Sequence, residues 1–76
     1  MLKYEHIHGF KVEYESEEKR IREGISYLDN KIEASEAKVF FDQAKAKKSA
    51  QFEDKENHQF TLMYKSSDVY LLISRE

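Results

Sequence analysis

SAQFEDKENHQFTLMYKSSDVYLLIS, residues 49–74, is the stretch on which the fold turns. Residues 49–54 set Ala50 and Phe52 on one side and Gln51 and Glu53 on the other. That period of two is the mark of a half-buried strand. Residues 58–65 repeat it with Phe60, Leu62 and Tyr64, and residues 69–74 with Val69, Leu71 and Ile73. Lys55-Glu56-Asn57 and Ser66-Ser67-Asp68 separate the three runs. Both are turn chemistry, and Asn57 tolerates a left-handed backbone. Phe52 is expected opposite Phe60. Tyr64 is expected opposite Val69 or Leu71, as the second turn spans two or four residues.

The same counting leaves a second face. It carries Lys11, Glu13, Gln51, Glu53, Gln59, Thr61, Met63, Lys65, Tyr70, Leu72 and Ser74. Most are polar, as a solvated face should be. Met63, Tyr70 and Leu72 are not, and either turn length places Met63 against one of the other two. This trio is the expected partner-binding patch, because clustered exposed apolar groups mark contact surfaces. The run Val-Tyr-Leu-Leu-Ile at 69–73 would also offer a pairing edge if it lay at the border of the sheet.

Upstream, Ile21, Ile25, Leu28 and Ile32 follow at spacings of four, three and four, which is one helical face. Ser16-Glu17-Glu18 reads as its start, with a capping hydroxyl and acids at the positive end of the dipole. Asp29-Asn30 reads as its end. Gly24 lies beside the apolar stripe, where close packing against a neighbour is the expected reason for it. Ser35-Glu36 opens a second helix over 36–47, whose inward set is Ala37, Phe40, Phe41 and Ala44. Near the N-terminus, Phe-Lys-Val-Glu-Tyr at 10–14 alternates like a strand, and Leu2 and Tyr4 keep its parity. One long strand, or a short lead-in and a strand, is expected. A hairpin at His8-Gly9 is disfavoured because it opposes Val12 to Glu5.

The expected architecture is a single small α+β domain over residues 1–76, in the order β-α-α-β-β-β. It is a two-layer sandwich, a mainly antiparallel sheet with two helices packed on one face. In its helix-then-three-strand portion the chain resembles the double-stranded-RNA-binding arrangement. It lacks that domain's C-terminal helix and basic character, so no function is carried over.

Composition narrows the functional classes. Thirteen basic and 15 acidic residues among 76 give a formal net charge of −2. A dedicated nucleic-acid-wrapping protein is far more basic. There is no Cys, Pro or Trp and only two Gly. Disulfides, thiolate metal sites and Gly-rich phosphate loops are therefore excluded. No Ser sits in a nucleophile elbow, and Asp42 and Glu53 stand out no more than any other acid as catalytic carboxylates. No enzymatic activity and no cofactor are expected. His6 and His8 point to one side of a strand, a spacing that could place two imidazoles on one metal with His58 as a third ligand; solvated or partly packed histidines are the expected outcome, with no metal site. The start of the chain lacks a secretory apolar run, and no window reaches the ~20 apolar residues of a membrane span. A cytoplasmic protein is expected.

The expected function is that of a small non-enzymatic factor binding another protein or a second copy of itself, through Met63, Tyr70 and Leu72. The alternative is a weak nucleic-acid-binding module. Lys45, Lys47 and Lys48 cluster in the one segment, 35–48, that is net positive, at +2. Such a cluster is what backbone phosphates need.

Overall fold

The computed structural model describes residues 1–75. Strands β1 (Leu2–Ile7) and β2 (Phe10–Glu15) come first. Helix α1 (Ile21–Ser26) follows and runs into a π-helical turn, Tyr27–Lys31. Then come α2 (Ala34–Lys47), β3 (Ser49–Glu53), β4 (Gln59–Tyr64) and β5 (Val69–Ser74). The five strands form one sheet in the order β1-β2-β5-β4-β3. Every neighbouring pair is antiparallel except β2 and β5. The helices lie on one face, which makes the two-layer α+β sandwich.

In the two helices and in β2, β3 and β4 the buried face is the one the periodicity selects. Ile21, Ile25 and Leu28 meet Ala37, Phe41 and Ala44 over Val12, Tyr14, Phe52, Phe60, Leu62, Tyr70 and Leu72. Each large side chain so buried contributes about 1.5–3 kcal/mol. Phe41 stacks on Phe10 at 4.2 Å between centroids and meets Tyr70 edge-on at 4.9 Å. Gly24 has its expected reason: a Cβ there would lie 2.8 Å from two ring carbons of Phe60. Phe52 faces Phe60 in the register, and Asn57 is left-handed at φ 67°.

Three expectations are corrected. The first is the N-terminal strand. It is a hairpin, with His8 and Gly9 as a two-residue loop at φ 51° and 88°, the pair of positive values a tight hairpin turn requires. Glu5 does oppose Val12. The pairing is tolerated because Glu5 Oε2 accepts from the Tyr14 hydroxyl at 3.1 Å and from Arg22 of α1 at 3.4 Å. The acid sits at the rim of the helix layer, where it finds partners. Leu2 and Tyr4 are consequently on the opposite face from Val12, 55% and 56% exposed.

The second correction is the start of α1. The Ser16 N–H donates to the Met1 carbonyl and prolongs the hairpin. Glu18 accepts from the Ser74 N–H at 3.0 Å and so ties the turn to the end of β5. Arg20 is left-handed at φ 62°, and only after it does the helix begin. The next helix starts at Ala34, one residue before Ser35, because the Glu36 carboxylate reaches back to the Glu33 N–H at 3.2 Å.

The third correction concerns β5. Its turn has three residues, neither two nor four. Lys65 N–H donates to the Val69 carbonyl, and Val69 N–H to that of Ser66. Ser67 and Asp68 both take positive φ. An odd loop reverses the parity of everything after it. Tyr64 therefore faces Tyr70, and Leu62 faces Leu72.

Candidate interaction surface

The reversed parity rebuilds the outer face of the sheet. Tyr70 and Leu72 are core residues, 1% and 0% exposed, and belong to no surface patch. Met63, 37% exposed, is the one member of the expected trio on the open side. Its neighbours there are Val69, Leu71 and Ile73 of β5, all partly exposed. The register sets Leu71 between Glu13 of β2 and Met63 of β4, Val69 beside Lys11, and Ile73 beside Thr61. β5 is the middle strand of five, so its run offers no pairing edge; the edges are β1 and β3. No helix among the described residues lies over this face.

The face thus has an aliphatic ridge along its central strand and charge on both flanks. Lys65 reaches across to Glu13 at 2.6 Å. Lys11 Nζ lies 4.5 Å from the centre of the Tyr4 ring. Tyr4 and Leu2 extend the apolar character toward the β1 rim. Cation and acid alternate here within a few ångströms, which leaves the face without a field of one sign.

The lysines at the end of α2 are only partly grouped. Lys45 is held by Asp68 at 3.0 Å and lies 5.9 Å from the Tyr64 ring centre. The Asp68 hydrogen bond and charge raise its pKa above the ordinary lysine value. Lys47 closes the helix and Lys48 follows in the left-handed region at φ 79°; both are exposed. Asp68 therefore offsets one of the three charges that a phosphate would meet.

The histidines are dispersed. His6 stands on the open face, while His8 Nε2 donates to the Leu28 carbonyl at 2.9 Å. His58 belongs to the β3–β4 turn, which Asp54 organises. Asp54 Oδ1 accepts from the N–H groups of Glu56 and His58, each at 2.9 Å, and Oδ2 lies 2.8 Å from His58 Nδ1. Burial pushes the Asp54 pKa up, but the His58 and Glu56 hydrogen bonds outweigh it and the net shift is downward. Counting residues does not reveal this pair; an Asp opening a turn whose backbone it can bond is the signal that could have.

Beside the turn is a cleft of about 350 Å³ lined by Glu23, Ser26, Tyr27, Lys31, Asp54, Lys55 and Glu56. Glu23, Glu56 and His58 bring ligand-type atoms within 4.8 Å of one another. Nδ1 of that histidine is engaged by Asp54, and Glu23 by Arg20 at 3.4 Å. Asp42 and Glu53, the carboxylates noted in the sequence, lie elsewhere; Asp42 pairs with Lys38 and Glu53 accepts from Gln59.

No family model, curated protein or solved structure matches this chain. No helix among the described residues is long and apolar enough to cross a membrane.

Proposed function

We propose that this protein acts by assembly and not by chemistry: a small binding module whose open sheet face packs against the open face of a second copy. The observation that carries this reading is the ridge of Val69, Leu71 and Ile73, with Met63 beside it, on the central strand and under no other layer. A covered sheet face is normally apolar and an open one polar; this one is mixed in the way of a contact surface with a polar surround.

The second copy is favoured as occupant by charge. Glu13 stands on the β2 flank of the ridge and Lys65 on the β4 flank, joined across it, and a two-fold axis running along the ridge sets each flank against the opposite one, acid facing base in both directions. Four gaps between strands and six-residue strands make the face about 20 Å on a side. Two such faces cover about 800 Å² in plan, below the usual range of stable specific interfaces, so the complex is weak and depends on concentration.

Mass measured by sedimentation from about 10 µM to about 1 mM tests the reading. A mass that rises with concentration, and that Leu71→Lys and Met63→Lys each lower without removing every contact between copies, is the expected result. A mass that rises equally in wild type and both variants, or never rises, removes the open face as the assembly surface.

A further inference from the structure

A second self-contact is written into the rim of the sheet, and it uses different residues from the β5 ridge. Among the described residues β1 pairs only with β2. The His8-Gly9 loop closes on Ile7 and Phe10, so Ile7, Glu5 and Lys3 spend their backbone groups on β2. The Ser16–Met1 hydrogen bond continues that alternation. The N–H and C=O groups of Leu2, Tyr4 and His6 therefore point away from the sheet, toward the free edge. An exposed row of this kind is a template for another strand.

We infer that two copies pair β1 to β1, antiparallel, about a two-fold axis at Tyr4. Charge selects this register. Hydrogen-bonded partners must come from the even residues, so the two-fold registers pair Lys3 with Met1, Lys3 with Lys3, Lys3 with Glu5, or Glu5 with Glu5 across the seam, or set Glu5 against Ile7. Like charges directly opposite destabilise a strand pair. Centring on Tyr4 is the register that opposes Lys3 to the second copy's Glu5, and it does so twice. Lys3 is exposed. Both bonds that Glu5 makes within its own chain fall on Oε2, which leaves Oε1 for the incoming lysine. On the open face the same register sets Tyr4 against its own copy, next to Leu2 and His6.

The other border does not select in this way. By the same alternation β3 turns the backbone of Ser49, Gln51 and Glu53 outward, and its five residues hold one charge, Glu53. Two-fold pairing there opposes no acid to a base. The result of β1 pairing is a ten-stranded sheet with its two open faces side by side.

The test is made in the Leu71→Lys background, where face-to-face packing is silenced, so that this contact and the proposed function fail separately. Sedimentation to about 1 mM is expected to show a dimer, about tenfold weaker with Lys3→Glu, which sets acid against the second copy's Glu5 twice. Tyr4→Pro removes an outward N–H without taking a bond from β2, and it is expected to abolish the dimer while circular dichroism stays unchanged. A strict monomer in the Leu71→Lys background, or a dimer indifferent to Lys3→Glu and Tyr4→Pro, overturns the inference.

Discussion

Strand β5 has two apolar sides and the molecule covers only one. Tyr70 and Leu72 are sealed under the helices; Val69, Leu71 and Ile73, from the same six residues, are left partly in water. Composition does not distinguish the sides, since each is as greasy as the other. What distinguishes them is where the helices lie and the one-residue difference in loop length that decides which side meets them. The largest test of this contrast replaces neighbours. Leu72→Ala is expected to destabilise by about 3 kcal/mol, for lost transfer energy and a cavity. Leu71→Ala is expected to cost less than about 1 kcal/mol. Urea unfolding measures both, and equal costs would mean that the open side is covered in solution.

The covered side is also tight where the open side is loose. Gly24→Ala drives a Cβ into the Phe60 ring. Overpacking costs about 1–3 kcal/mol, offset in part by the helix propensity gained. A net loss of about 1 kcal/mol is expected, and Phe60→Leu should shrink it by freeing the space. A double-mutant cycle reads that coupling. No such coupling is expected between Leu71 and Met63, which meet on the open side.

Much of this was legible beforehand. The helix stripes, the inward faces of β3 and β4, the Asn57 turn and the reason for Gly24 follow from spacing and turn chemistry alone. What spacing could not carry was parity through a turn. The Ser66-Ser67-Asp68 loop contains no Gly to announce where φ turns positive, and an odd count there moved Tyr70 and Leu72 from the expected patch into the core. The His8-Gly9 hairpin was obscured for the opposite reason. Its Glu5–Val12 pairing looks wrong locally and is put right by Tyr14 and Arg22, which are distant in sequence from Glu5. The Asp54–His58 pair was hidden because its bonds are mostly to backbone.

The two three-residue turns of the sheet repeat the contrast at smaller scale, since a buried carboxylate within the β3–β4 turn bonds that turn's own backbone, while the Asp68 carboxylate of the β4–β5 turn points out to Lys45. Asp54→Asn takes a charged acceptor from two N–H groups and the His58 ring, and a loss of about 1–2 kcal/mol at neutral pH is expected. The sign of its pH dependence follows from the lowered pKa. The stabilisation is complete above the unfolded-chain value of about 3.9 and is lost as pH falls through the lower folded value. Wild type and Asp54→Asn should therefore converge in acid; curves that stay parallel would show that the carboxylate charge does not brace the turn.

The β4–β5 turn offers the smallest effect and the opposite sign. Ser67 and Asp68 hold φ of 53° and 61°, a region that Gly enters freely and Asn more easily than Ser. Replacing them together by Ser67→Asn and Asp68→Gly keeps the three-residue count and with it the parity of β5. It also releases Lys45 from its ion pair, an exposed contact worth little. Stabilisation of about 0.5–1 kcal/mol is expected. Thermal unfolding measures it, and because the parity is unchanged the cost of Leu72→Ala in this background must stay as large as before. If the new turn instead lowered that cost toward the value for Leu71→Ala, the loop would have changed its length class, and the identity of the covered side would be a property of these two turn residues.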